Sequence, residues 1–143
     1  PGLSTAGGET VTLRGTNLGK TVPPTPTSQV TVTAVYSNGN RTFSTPNCRV
    51  VVDGVEVQCQ SVAGVGTEYR WSVHVGPQPS PWSTATTSYA PPTIVSFGTE
   101  VAQSASTAGS ELIEIYGTQF GPRSLNAITN VTYSDPVTGA LFQ

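Results

Sequence analysis

His74 is the only histidine of the chain. Nucleophilic hydrolysis of the Ser-His-Asp kind needs an imidazole beside a hydroxyl and a carboxylate. His74 falls instead in the alternating run YRWSVHV (residues 69–75), on the same side as Arg70 and Ser72. No Gly-x-Ser-x-Gly elbow accompanies it, so it reads as a solvent-facing strand residue. A glycosidase needs two carboxyl groups flanking one bond. Glu111 and Glu114 stand three apart in an alternating segment, which puts them on opposite faces. Metal sites need clustered Asp, Glu, His or Cys. Asp53 occupies one turn, Asp135 another, and Glu56 an outer strand face opposite Val51, within diagonal reach of Arg49. No catalytic residue, metal or cofactor is expected, and the chain reads as a non-enzyme.

The two cysteines offer a different chemistry. Asp53-Gly54 lies midway between Cys48 and Cys59 and predicts a two-residue type I′ hairpin turn. Pairing about it sets Val52 against Val55, Val50 against Val57 and Cys48 against Cys59. Side-chain alternation puts both cysteines and these valines on one face. Opposed strand residues lie within disulfide reach. A Cys48–Cys59 disulfide follows from this register; the alternative is two buried free thiols.

Further groups point to glycans. Asn40-Arg-Thr and Asn130-Val-Thr are N-glycosylation acceptors. The tracts TVPPTPTS (residues 21–28) and SPWSTATTS (80–88) read as O-glycosylated or solvated loops. Trp82, in the second tract, is a candidate for stacking on a sugar ring or covering an interface. Trp71 has apolar neighbours in alternation and reads as core.

The elements that position these residues are strands. Residues 9–14, 30–36, 69–75, 93–97 and 112–116 all alternate with period two. No stretch carries a helical stripe. Short strands parted by Gly, Pro and Asn turns predict an all-β antiparallel sandwich.

One passage occurs twice. TAGGETVTLRGTNLG (residues 5–19) returns 102 residues later as TAGSELIEIYGTQFG (107–121). Gly15 and Gly19, and their counterparts Gly117 and Gly121, bracket a turn for which positive φ is expected. Pro-rich joints part the elements, and Ala90-Pro91-Pro92 reads as a stiff link between units. The expected division is residues 1–90 and 91–143.

Composition bounds the function classes. Charged residues make up 10% of the 143 residues, against roughly 25% in ordinary soluble domains. A net charge of −2 with 6 scattered basic residues leaves no nucleic-acid footprint. No apolar run approaches the about 20 residues of a membrane span, so no direct membrane insertion is expected. Met is absent and residue 1 is Pro, so the chain reads as a segment of something longer. One disulfide, two sequons and few lysines predict a secreted, extracellular or cell-surface setting.

The pattern resembles the IPT/TIG family of immunoglobulin-like, plexin-type domains. The text that carries the resemblance is Pro91-Pro92-Thr93-Ile94, Thr5 to Gly8, Gly15-Thr-Asn-Leu-Gly19, the cysteine pair and the late strand at Val73 to Val75. Gln119 stands where the family has Asn. The resemblance implies an immunoglobulin-like sandwich in residues 1–90 that lacks its opening strand. It implies the first part of a second such unit in 91–143. The expected role is structural: a tandem-repeat extracellular glycoprotein forming a rod, fibre or surface appendage. Its partners would be copies of itself in a polymer and attached glycans. The alternatives are a ligand-binding ectodomain module of a cell-surface receptor, and an accessory domain beside a polysaccharide-active enzyme.

Overall fold

The computed structural model describes residues 2–21, 31–45, 47–98 and 106–143. The chain divides into two compact units, Pro1–Ala90 and Pro91–Gln143. The predicted tract at 21–28 lies outside the described residues beyond Thr21.

Among the described residues the first unit holds seven strands: β1 (Thr10–Arg14), β2 (Val32–Ser37), β3 (Thr42–Thr45), β4 (Cys48–Val52), β5 (Glu56–Gln60), β6 (Arg70–Val75) and β7 (Gln78–Pro79). They form two antiparallel sheets, ordered β1-β5-β4 and β3-β2-β6-β7. Each contributes its apolar face to one core. Val57 and Cys59 come from the first sheet, and Val32, Ala34, Tyr36, Trp71 and Val73 from the second. Tyr69, Tyr89 and Leu18 close the core at its margins. Aromatic packing dominates: Trp71 lies on Tyr36 with ring centroids 4.2 Å apart and planes 20° apart. Tyr69 meets Tyr36 and Tyr89 edge-on, at 5.5 and 5.8 Å.

Two hydroxyl groups and the N–H and carbonyl of Val62 close a hydrogen-bonded ring. The Val62 N–H donates to Tyr36 Oη at 3.1 Å, and the Tyr89 hydroxyl donates to the Val62 carbonyl at 2.8 Å. The two phenol oxygens are 2.7 Å apart, so Tyr36 donates to Tyr89. Burial holds the Tyr89 phenol far above the usual tyrosine range. Burial also raises Tyr69. A group raised on folding stabilises while protonated, and that contribution is lost as pH climbs beyond the unfolded value near 10.0. Thermal melts should therefore show stability falling above pH about 10. Tyr89→Phe should flatten that decline and lower the neutral-pH stability by about 1–3 kcal/mol, since it leaves Tyr36 and the Val62 carbonyl short of a partner.

Two features of the cysteine hairpin differ from the expected register. Cys48 faces Cys59 and Val50 faces Val57 as predicted, but Val52 faces Glu56 rather than Val55, with a bulge at Val51. Glu56 therefore opposes Val52, not Val51, and its carboxylate pairs with Arg14 Nε at 3.0 Å on the neighbouring strand. Arg49 bonds Gln58 instead, at 3.0 Å. Val52 and Val55 leave the core face and stand 48% and 49% exposed. The turn is not type I′ either: Gly54 has φ 70°, whereas Asp53 is not in the positive-φ region. That sign pattern is type II.

The tract at 80–88 is exposed at Pro81, Trp82, Thr84, Ala85 and Thr86, and it also runs beside β6, stitched to it through hydroxyl groups. Ser83 Oγ accepts from the Trp71 N–H (2.9 Å), Thr87 Oγ1 from Trp71 Nε1 (2.9 Å), and Ser80 Oγ from the Val73 N–H (3.0 Å). Ser72 donates to the Ser80 carbonyl at 2.8 Å. Prolines are tolerated here because the tract and β7 form the sheet edge.

In the second unit β8 (Thr93–Phe97) pairs with β9 (Ile115–Thr118), and β10 (Tyr133–Ser134) with β11 (Leu141–Phe142). The strand expected from Leu112 begins only at Ile115. A 3-10 turn spans Arg123–Leu125. Asp135 caps the turn before β11, its carboxylate accepting from Val137 N–H and Thr138 Oγ1, each at 2.8 Å. No described residue of this unit is buried.

The repeated passage is repeated in the backbone. Gly7 and Gly109 have φ 74° and 73°, Gly8 and Ser110 84° and 70°, Asn17 and Gln119 58° and 62°, Gly19 and Gly121 88° and 85°. The expected positive φ is thus met at Gly19 and Gly121, but not at Gly15 or Gly117; Asn17 and Gln119 take it instead. The same clasp precedes each strand. Ser4 N–H bonds the Glu9 carboxylate, as Ser106 N–H bonds that of Glu111. Gly7 N–H reaches the Ser4 carbonyl, and Gly109 N–H that of Ser106, both at 3.0 Å.

Candidate functional site

Three features carry whatever the first unit does. The first is the staple. Cys48 and Cys59 form a disulfide with Cα atoms 4.1 Å apart. Cys59 is buried among the core residues and Cys48 packs against them from the edge strand β4. The bond ties that bulged edge strand to the sheet centre.

The second is an interlock of two turns that are far apart in sequence. The Gly54 N–H donates to the Gly19 carbonyl at 2.6 Å, the Leu18 N–H to the Gly54 carbonyl at 3.1 Å, and the Gly15 N–H to Val55 at 2.9 Å. Asp53 Oδ1 accepts from both the N–H and hydroxyl of Thr21, each at 2.6 Å. Those Thr21 bonds hold the Asp53 carboxyl below its usual range. Leu18 is thereby pressed into the end of the sandwich, where it is 7% exposed.

The third is an open trough of about 560 Å³ lined by Ser37, Asn38, Gly39, Glu68, Arg70, Trp82 and Thr86. Antiparallel pairing of β2 with β6 sets Ser37 against Arg70 and brings the β2–β3 turn to this place. Trp82 is half exposed there. Asn38 is committed to the turn: its Oδ1 accepts from the N–H groups of Asn40 and Arg41, and its Nδ2 donates to the Thr67 carbonyl at 3.1 Å. Glu68 holds φ 61°, a strained conformation for a side-chain-bearing residue. An indole face beside one carboxylate and one guanidinium can stack on a ring and bond hydroxyl groups. Trp82 was visible in the sequence. Glu68 and Arg70 were not, because only the strand pairing brings them to it.

The remaining sites are dispersed. Asn40 is exposed at the β2–β3 turn beside the trough, and Asn130 is exposed in the second unit. His74 is half-buried on β6 opposite Thr33 and Pro79. Glu111 serves the Ser106 clasp, and Glu114 accepts from the Tyr116 hydroxyl at 2.6 Å, which raises that phenol. Among the described residues no three His, Cys, Asp or Glu side chains group to hold a metal ion. No helix among them is long and apolar enough to cross a membrane.

Two facing antiparallel sheets, one disulfide and an aromatic core define an immunoglobulin-like β-sandwich module. The family model of the IPT/TIG domain matches residues 1–91, and the chain belongs to that family. IPT/TIG domains are non-catalytic immunoglobulin-like modules found in cell-surface receptors and transcription factors. No curated protein and no solved structure matched the chain.

Proposed function

We propose that this chain is a segment of a tandem array of IPT/TIG sandwiches that works structurally outside the cell, in a rod, fibre or surface appendage. One observation carries the proposal: four pairs of positive-φ residues and the Ser–Glu clasp recur at a constant spacing of 102 residues. A backbone signature rewritten at one interval is the mark of a repeat architecture. On this reading residues 91–143 open a second unit of the same kind. The disulfide supports an oxidising compartment. Glycans on the exposed Asn40 and Asn130 would supply solubility to a chain with 10% charged residues.

Negative-stain imaging of the protein secreted from eukaryotic cells tests this. Rods or filaments, with intact mass above that of the polypeptide, are expected. Separate round particles of bare polypeptide mass contradict it.

The trough favours a second reading, a ligand-binding ectodomain module. It predicts that a monosaccharide panel quenches tryptophan emission in the native chain and fails to do so in Trp82→Ala.

A further inference from the structure

The sequon Asn40-Arg41-Thr42 stands beside the trough, within the first unit. Gly39, one peptide and about 3.8 Å before Asn40, already lines it. The backbone of the sequon is pinned there. The N–H groups of Asn40 and Arg41 both donate to Asn38 Oδ1, and the Ser37 and Thr42 hydroxyl oxygens are 2.9 Å apart. The Asn40 side chain is exposed, and among the described residues its amide has no hydrogen-bond partner.

We propose that the trough holds the chain's own carbohydrate. The first N-acetylglucosamine of a glycan on Asn40 lies against the half-exposed indole of Trp82. The Glu68 carboxylate accepts from its hydroxyl or acetamide N–H groups, and the Arg70 guanidinium donates to its oxygens. This rests on the glycosylated reading above, since it needs a sugar on Asn40. It stands against the second reading, in which the trough takes a free ligand.

Three observations select this occupant. First, the walls are fixed before any sugar arrives. Asn38 Nδ2 ties the β2–β3 turn to the Thr67 carbonyl at 3.1 Å, and the Glu68 N–H ties that loop to Ser88 Oγ at 3.1 Å. Ser83 Oγ, next to Trp82, is held by the Trp71 N–H at 2.9 Å. A preorganised site costs its occupant little ordering. Second, its polar groups are uncommitted. Among the described residues the side chains of Glu68, Arg70 and Thr86 have no hydrogen-bond or ion-pair partner. Glu68 moreover holds φ 61°, where glycine would be free of strain, so a carboxylate stands at this wall against the backbone preference. Third, shape favours a tethered occupant. A site for a free small molecule encloses about 70–90% of its surface, whereas this trough is open and offers one aromatic face. A lone aromatic contact shifts an equilibrium by only about two- to tenfold, too little to capture a sugar from dilute solution. A sugar attached to the residue after Gly39 is present at an effective concentration of order millimolar, so the same contact orders it.

The test uses the full chain secreted from eukaryotic cells, beside Asn40→Gln, Trp82→Phe and Trp82→Ala. Peptide mass should show Asn40 occupied. The sugar signals that Asn40→Gln removes from the proton NMR spectrum should stand upfield in the native chain, under the indole ring current. They should keep part of that displacement in Trp82→Phe and lose it in Trp82→Ala. Peptide N-glycosidase acting on the folded chain should release the Asn40 glycan at least about twofold faster from Trp82→Ala than from the native chain. Free N-acetylglucosamine should leave the tryptophan emission of the native chain unchanged. With Asn40 occupied, undisplaced sugar signals or equal release rates overturn the inference and leave the glycosylated array standing. Quenching of the native chain by the free sugar, lost in Trp82→Ala, overturns it in favour of a free ligand. A bare Asn40 overturns it together with the glycosylated reading.

Discussion

Trp71→Ala is expected to lower the melting temperature of the first unit by roughly 15–30 °C. The indole is 3% exposed and lies between the two sheets. Large-to-small changes at such sites cost about 3–5 kcal/mol, from lost burial plus an unfilled cavity. Here the cost should reach the upper part of that range. The ring is stacked on Tyr36, itself fully buried, so truncation strips a face from a second aromatic side chain. It also removes the Nε1–H bonded to Thr87, one of the contacts that hold the 80–88 tract on β6. A domain of this size has about 5–15 kcal/mol of stability in all, so one substitution removes a large share. Trp71→Phe separates the contributions. It keeps most of the stack and loses the hydrogen bond, and a fall of about 1–2 kcal/mol is expected. Chemical denaturation followed by circular dichroism measures both. Equal losses for the two variants would show that the bond to Thr87, rather than the packing, dominates.

Removing the staple should have the second largest effect. Cys48→Ala/Cys59→Ala frees a loop of sequence separation 11 in the unfolded chain. Loop closure of that length contributes about 2–3 kcal/mol, which lowers the melting temperature by roughly 10–20 °C. The loss should be local before it is global. β4 is an edge strand with a bulge at Val51, and Val51 and Val52 are already exposed. Without the disulfide β4 keeps its backbone pairing to β5 and the packing of Val50 on the core. Amide exchange should therefore quicken first at Arg49 and Val50 and leave β2 and β6 protected. Uniform quickening across both sheets would mean that the bond supports the whole sandwich instead.

The staple was legible in the sequence because it depends on local rules. Period-two alternation and an Asp-Gly turn are enough to put Cys48 opposite Cys59. The details of the same turn were not, because a distant segment decides them. Asp53 turns its carboxylate to Thr21, and Gly54 bonds to Gly19 and Leu18. Docking on that loop moves the turn away from type I′ and carries Val52 and Val55 off the core face. The Ser/Thr/Pro tract was legible only in part: it is a largely exposed loop, as its composition says, but that its hydroxyl groups are partners for β6 depends on where the chain returns. The trough shows the same limit, since Arg70 meets Trp82 only after the 80–88 tract docks on β6. The two-fold passage is the opposite case. Its glycines act within fifteen residues, and the structure gives both copies the same left-handed positions. What was misplaced there was the site of the left-handed residue. Asn17 and Gln119 take it, while Gly117 is glycine for the close approach of the Thr93 carbonyl; a Cβ on Gly15 would meet only Leu18 at ordinary contact distance.

The central claim is that one backbone motif is written twice. The most direct check is solution NMR of the uniformly labelled chain, reading Cα and Cβ shifts and amide couplings at both copies. The account predicts left-handed values at Asn17 and Gln119, at Gly19 and Gly121, and at Gly7 and Gly109. It also predicts that Gly15 and Gly117 lack them. Extended or averaged coil values at Gln119 and Gly121, beside left-handed ones at Asn17 and Gly19, would contradict it.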